Sequence, residues 1–204
     1  MKVPKLYLYS SVGCPPRWSL FAFAALVFIP GLGCSQNKTV NWKEEVRLRN
    51  KQVVIIERNQ EYRAGGEPGH RGAGWIFDNE RIKAALPSPN GDVRWQAHLH
   101  PLSIDVSDDG KVYLVTVVAD ARGRQEYGLP GQTNHIAFRY IGNDQWERVP
   151  LGAVPAEFRP NFLIDWFGLF IEKGSKVDFV DLALKEKLDS DHRIDSRFRG
   201  WPRQ

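Results

Sequence analysis

The sequence predicts a mainly β (α+β) fold, an antiparallel sheet of several hairpins with one C-terminal amphipathic helix, and three observations carry that expectation. Val93 to Leu99 alternate apolar and polar side chains without a break, the period-two signature of a half-buried strand. Turn chemistry rich in Gly, Asn and Asp separates pairs of β-branched or aromatic runs, as hairpins require. Apolar residues at helical spacing behind a capping signal occur between Ser175 and Leu188. The chain has 204 residues, 42% hydrophobic and 25% charged, which fits one ordinary domain. Those values exclude a disordered tail protein, a collagen-like repeat and a polytopic membrane protein.

The elements follow in chain order. From Trp42, Val46 and Leu48 alternate with Glu45 and Arg47, a turn falls at Arg49-Asn50-Lys51, and Gln52 to Glu57 is a β-branched run suited to a strand covered on both faces. Ala64 to Gly74 holds five glycines and a proline, too many for a helix or a central strand, so it reads as a loop. Trp75-Ile76-Phe77 opens a further strand, and Pro87 to Gly91 is a turn. After the alternating strand, Leu102–Val106 and Lys111–Ala119 flank Ser107-Asp108-Asp109-Gly110 as a second hairpin, its return strand apolar on both faces and therefore central. Asp120 to Thr133 reads as loop. His135–Ile141 and Gln145–Leu151 form a third hairpin in which Ile136, Phe138 and Tyr140 share the core face. Ala156-Glu157-Phe158 suits one helical turn, and Phe162 to Ile171 is the most apolar stretch of the domain. Ser175 with Asp178 marks the start of a helix of about three turns carrying Val177, Val180, Leu184 and Leu188 on one side. No internal repeat supports a propeller or solenoid.

Ahead of this domain lies an export signal. Lys2, Lys5 and Arg17 form a basic start, and Leu20 to Ile29 is an uninterrupted apolar run. Such a run spans about 15 Å as helix, half a bilayer core, so it is a signal-peptide core rather than a standard anchor. Pro30 breaks it, and Gly31-Leu32-Gly33-Cys34 resembles the lipobox of bacterial lipoproteins, in which the cysteine receives diacylglycerol and becomes the new N-terminus; here Gly31 stands where that pattern prefers Leu. The resemblance implies lipidation of Cys34, and Ser35 behind it implies an outer-membrane destination facing the periplasm. Residues 1–33 are then signal peptide, 34–41 a lipidated tether, 42–188 the domain and 189–204 a polar tail. Loss of the signal removes Cys14 and three bases, leaving 25 Lys+Arg against 24 Asp+Glu, a formal +1 in place of +4. With no cysteine pair the domain holds no disulfide, and with no global field it is not expected to bind nucleic acid.

Trp42-Lys43-Glu44-Glu45-Val46-Arg47-Leu48, with Phe138-Arg139-Tyr140 and Trp146-Glu147-Arg148-Val149-Pro150-Leu151, resembles uncharacterised exported proteins of proteobacteria that open their mature domain with a Trp-Lys-Glu-Glu-Val hairpin. The resemblance covers about residues 42–161 and implies no activity or catalytic residue. The Gly65–Gly74 loop and the chain after Gly174 have no counterpart in it.

Few residue constellations point to chemistry. His98 and His100 stand two apart on a strand, half of a metal site, with His70, Asp105 or His135 as further ligands; Pro101 is expected to end the strand at once and the shared face already holds Arg94 and Gln96, so exposed polar surface accounts for the pair, and no metal or other cofactor is expected. The Gly65–Gly74 loop lacks the Gly-Lys-Ser/Thr ending of a phosphate cradle. Asp105, Asp108, Asp109 and Gly110 lack calcium-loop spacing and suit a turn. Glu44 and Glu45 point to opposite faces of a strand and cannot pair as acid and base; combinations with Glu57, Glu61 and Glu67 are unconstrained. No Gly-x-Ser-x-Gly is present and Cys34 is consumed by lipid. Of the six tryptophans after the signal, Trp42, Trp95 and Trp146 are assigned to burial, while Trp166, Phe167 and Trp201 are candidate partner contacts. The expected function is an envelope-anchored lipoprotein serving as a non-catalytic binding or structural module, its partner an envelope protein or glycan. Two alternatives stay open: a periplasmic hydrolase with its site under the Gly65–Gly74 loop, and a secreted interaction protein without lipid.

Overall fold

The computed structural model describes residues 37–65, 74–87, 91–118, 120–129, 134–163 and 177–191. They form two sheets, each built as an antiparallel meander, with one short parallel strand added to the edge of the first. The first has the order β4-β3-β2-β1-β9 and the second β5-β6-β7-β8, from strands β1 (Asn37–Arg47), β2 (Val53–Gly65), β3 (Gly74–Ala85), β4 (Asp92–Ala97), β5 (Leu99–Val106), β6 (Val112–Val118), β7 (His135–Gly142), β8 (Gln145–Val149) and β9 (Phe179–Val180), with helices α1 (Ala121–Glu126) and α2 (Leu182–Asp191). The mainly β architecture of hairpins with one C-terminal helix is thus as the sequence predicts. Val46, Ile56, Ile82 and Trp95 of the first sheet pack against Leu99, Leu114, Ile136 and Phe138 of the second in the main core. Trp42, Tyr62, Phe77, Leu163 and Val180 form a second cluster.

Several expectations are corrected. β1 begins at Asn37, inside the segment assigned to the tether. β2 is covered on one face only: Val53 and Ile55 are exposed while Val54 and Ile56 are buried, because the outer face of the first sheet is left open. Pro101 does not end a strand. It lies within β5, beside a bulge at Leu102, on an edge strand where a missing N–H removes no ladder bond. The segment after β6 is not loop throughout, for Asp120 accepts from Gly123 N and starts α1. The last helix begins at Leu182, not Ser175: Val177 and Asp178 are not helical, Phe179–Val180 add as a parallel strand to β1, and Asp181 accepts from Leu184 N as the cap. The edge of β1 captures Phe179 and Val180 before the helix can begin.

Two bulges tie the sheets to neighbouring segments. The β2–β3 register slips at Asp78, which pairs with no residue of β2, and its carbonyl accepts from His98 Nδ1 at 2.5 Å. The carbonyl of Leu102, the residue bulged from the β5–β6 register, accepts from Asn161 N and Phe162 N at 3.1 and 3.2 Å. A bulge takes a residue out of the ladder; here the freed carbonyl holds the next layer. Asn161 completes the seam by donating to Ile104 O and Arg47 O, so one amide links β5 to β1.

The inner face of the first sheet carries a wholly buried ionic network. Arg58, at the centre of β2, donates through Nε to Glu80 Oε1 at 2.7 Å and through Nη1 to Glu44 Oε2 at 2.9 Å; all three side chains are 0% exposed. Its guanidinium lies 4.6 Å from the Trp42 ring and 4.9 Å from the Phe162 ring, a sandwich suited to a weakly hydrated cation. Glu44 also accepts from Trp42 Nε1, Leu163 N and Lys185 Nζ. Glu80 accepts from Gln60, which accepts from the Tyr62 hydroxyl. Lys185 brings α2 into this system, its ammonium bonded to Glu44 Oε1, Glu45 O and Asn161 O at 3.1, 2.6 and 2.8 Å. Burial pushes the Glu44 carboxyl up, but the Arg58 and Lys185 charges with the Trp42 and Leu163 N–H groups outweigh it and hold Glu44 below the ordinary carboxylate range.

Arg58→Leu leaves two buried carboxylates without their shared cation and should cost about 3–5 kcal/mol in urea denaturation; a loss under about 1 kcal/mol would show that water reaches the site. Because the folded state depresses Glu44, its contribution is complete above the ordinary value of 4.5 and is lost as pH falls through the lower folded value. Asp105 acts in the opposite sense. Burial raises it despite N–H bonds from Val106 and Arg49, so its contribution is greatest at low pH and declines as pH rises through the carboxylate range. Glu44→Gln should therefore flatten the acid limb of a stability–pH profile measured from pH 3 to 6, while Asp105→Asn should steepen it.

Candidate functional site

Along the outer face of the first sheet runs a groove of about 880 Å³ that crosses β1, β2, β3 and β4. Strand register places its floor in two rows. Lys43, Glu57, Lys83 and Arg94 face one another across the four strands, and beside them run Asn41, Asn59, Arg81 and Gln96. Side chains directly opposite on one face interact across strands. Lys43 pairs with Glu57 at 2.9 Å, and Asn59 Nδ2 donates to Asn41 Oδ1 at 2.5 Å. Arg81 turns to Glu61 of β2 at 2.9 Å.

Beyond β4 the groove meets a wall from the second sheet. The β7–β8 turn places Asn143 and Asp144 at φ of 52° and 56°, a two-residue turn with both central residues left-handed, matching the twist of a hairpin. That turn aims Asp144 at β4. Arg94 N donates to Asp144 Oδ1 at 3.1 Å and Trp146 Nε1 donates to Arg94 O at 2.6 Å. Both main-chain groups of Arg94 are thereby satisfied by side chains, which covers the edge strand without another strand. Tyr127 and Trp146, both half-buried, stand on this wall with Phe138 behind them, 6.4 Å from the Tyr127 ring. Burial and the nearby Glu126 raise the Tyr127 phenol above its ordinary value, so it stays neutral.

The charges in the groove are mutually engaged. The Lys43 ammonium, hydrogen bonded to Glu57 and assisted by Lys83, holds that carboxyl below the ordinary range. Arg94 pairs with Asp144 at 3.5 Å. Pairs this exposed contribute little to stability, so the ion pairs themselves add little to the fold and the ladder is available for recognition.

The histidine pair lies elsewhere. His98 and His100 both flank the Phe77 ring, at 5.3 and 4.0 Å, so they do share a side as their spacing predicts. They are not exposed polar surface. His98 is buried where the chain bends from β4 into β5, with Nδ1 on Asp78 O and Nε2 2.9 Å from Asp120 Oδ1; His100 Nδ1 lies 3.4 Å from Glu80 Oε2. Their nitrogens serve different structural partners. Among the described residues no group of three or more His, Cys, Asp or Glu is arranged to hold a metal ion. Asp105 is spent on Arg49 N at 2.9 Å, and Asp109 pairs with Lys111 in the β5–β6 turn. Glu44 and Glu45 do point to opposite faces, one buried and the other half-buried.

Trp42 and Trp95 are buried as expected, whereas Trp146 is only half-buried, packed against the main core and lining the groove. Cys34, Trp166, Phe167 and Trp201 lie outside the described residues, as do residues 66–73 of the glycine-rich loop; Gly65 and Gly74 at its ends pair in the β2–β3 ladder. Among the described residues no helix is long and apolar enough to cross a membrane. No family model, curated protein or solved structure matches the chain.

Asp144→Ala removes the acceptor for Arg94 N–H. That amide should exchange with solvent faster in the variant while the amides of β2 keep their protection; unchanged exchange at Arg94 would show that Trp146 alone covers the edge.

Proposed function

We propose that this protein is an envelope lipoprotein, anchored through diacylglycerol on Cys34 and exposed to the periplasm, whose domain is a non-catalytic binding module working through the groove. The observation that carries the binding reading is the junction of a self-paired polar ladder with an aromatic wall in one concavity. Lys43, Glu57, Arg94 and Asp144 sit in ion pairs, and Glu57 is held ionised by its cation. A carboxylate fixed in one state binds well and shuttles protons poorly, since general acid–base work needs a group poised near the operating pH. The amides of Asn41, Asn59 and Gln96 offer both donors and acceptors. Tyr127 and Trp146 offer flat surfaces with a polar tip. The ligand that fits this lining presents hydrogen-bonding groups along one face and an apolar or planar part at one end, as segments of glycans and envelope proteins do.

The test has two arms. A photo-cross-linker at Gln96 in intact envelopes should give an adduct that Trp146→Ala with Asn59→Ala abolishes, while the same group at Val53, outside the groove lining, gives none; equal adducts at both positions would remove the groove from the proposal. Cys34→Ala should release the protein from membranes, and unchanged fractionation would remove the anchor.

A further inference from the structure

We infer that the end of the first sheet carrying Asn37, Arg63 and Ile76 rests on the anionic lipid surface of the membrane to which Cys34 is anchored, so that the long strands stand on the bilayer. The inference rests on the lipidation reading above and adds an orientation and a contact surface to it. Three peptide units separate Cys34 from Asn37, the first residue of β1. They span at most about 11 Å when fully extended. A domain tethered so briefly cannot tumble freely above the headgroups, and the end of the sheet where β1 starts is the end held at the surface.

The residues at that end suit the position. Register places Asn37 beside Arg63 and Arg63 beside Ile76, with Trp75 opposite Ala64. Ile76 is 37% exposed, and it lies against Gly65, where an added Cβ would stand 2.0 Å from Ile76 Cδ1. The glycine therefore lets a large aliphatic side chain fold across the sheet end. Trp75 closes the second core cluster at the same end, and the Lys38 ammonium stands 5.7 Å from its ring. Lys38 and Arg63 are the charged residues of the terminal rows among the described residues, and Arg63 Nε also stands 4.0 Å from Asp78 Oδ1 of the adjoining bulge, an exposed contact. A tryptophan, an exposed isoleucine and two cations with long apolar stems are the residue types that populate the bilayer interface and meet anionic headgroups. At the opposite end, Val53 is exposed beside Arg47. It lies ten residues along β2 from Arg63, about 34 Å away.

The full chain, matured in a bacterial envelope and reconstituted in vesicles of phosphatidylethanolamine and phosphatidylglycerol, tests this. Ile76→Cys and Val53→Cys each receive an environment-sensitive fluorophore, since Cys34 is blocked by lipid and Cys14 leaves with the signal. Support is flotation with the vesicles together with bluer emission and several-fold slower reduction by an aqueous quencher at position 76 than at 53. Lys38→Glu with Arg63→Glu should then reduce that protection without reducing flotation. Flotation with equal quenching at the two positions overturns the assigned contact surface and leaves the anchor standing. Failure to float, with an unmodified Cys34 in the mass spectrum of the N-terminal peptide, overturns the anchor and the inference with it.

Discussion

The Arg58 guanidinium constrains everything around it. It stands diagonal to Glu44 on one neighbouring strand and to Glu80 on the other, and β1, β2 and β3 can satisfy it in one alignment only. A slip of one residue turns each apolar set outward, an error that any amphipathic strand resists. A slip of two residues keeps every apolar side chain inward, so the hydrophobic pattern alone does not forbid it. The ionic network does. Displacing β1 by two residues puts Trp42 or Val46 where Glu44 must meet Arg58, leaving buried charge without a partner. Buried ion pairs are weak devices for stability, because desolvation consumes much of what the charges return, and their best-attested use is registry. Three strands of 11, 13 and 12 residues have many near-equivalent alignments, and this cation selects among them.

The same network decides where the chain goes after the second sheet. Once Glu44 and Arg58 are buried, their remaining hydrogen-bonding capacity has to be met in the interior. Leu163 supplies both its N–H to Glu44 and its carbonyl to Arg58. Lys185 supplies the second cation, which is why α2 presents a lysine rather than a leucine at this buried position. The returning segment is then forced across the edges of β5 and β1, where Asn161 and the Leu102 carbonyl hold it. β4 is covered by Asp144 and Trp146. With the inner face consumed by packing and these edges covered, the outer face of the first sheet is left as the broad surface on which residue identity is free, and the groove lies there.

How much of this is legible in the sequence depends on the range over which each feature is encoded. The hairpins are local: turn residues and period-two runs lie within a dozen positions, and the central place of β6 follows from its continuous apolar run. Glu44 and Glu45 read correctly as pointing apart, for the same reason. The bulges at Asp78 and Leu102 are not local. Nothing about either residue distinguishes it from a paired neighbour; each bulge exists because a distant group, His98 or Asn161, needs the carbonyl. His98 itself reads as surface because alternation continues through it, and only the bend between sheets reverses its side. Arg58 and Glu80 carry no signal beyond a charge in an apolar-alternating run, at inward positions shared with Ile56 and Ile82. That misplacement is the clue that reading single strands passes over. The last helix was displaced by competition: Val177 and Val180 fit helical spacing, but the open edge of β1 offers Phe179 and Val180 a ladder and the helix starts after Asp181. The groove needs four strands in register and a turn from the other sheet, so its residues are individually unremarkable polar positions.

The strand geometry also gives the groove a height. Asn37 begins β1, and the groove crosses that strand at Asn41 and Lys43, four to six residues along, about 14–20 Å at strand rise. With the strands standing on the bilayer as inferred, the groove runs parallel to the membrane, beyond the headgroup layer, and opens sideways. Its paired charges then face water and soluble polymer rather than lipid, and Debye screening over about 8–10 Å detaches them from the membrane potential at the foot of the sheet. One sheet therefore separates two tasks along its own length. In that orientation the end bearing Trp75, Lys38 and Arg63 would meet the lipid surface, and the largely paired ladder above it would be free to discriminate ligands by hydrogen-bond pattern and shape.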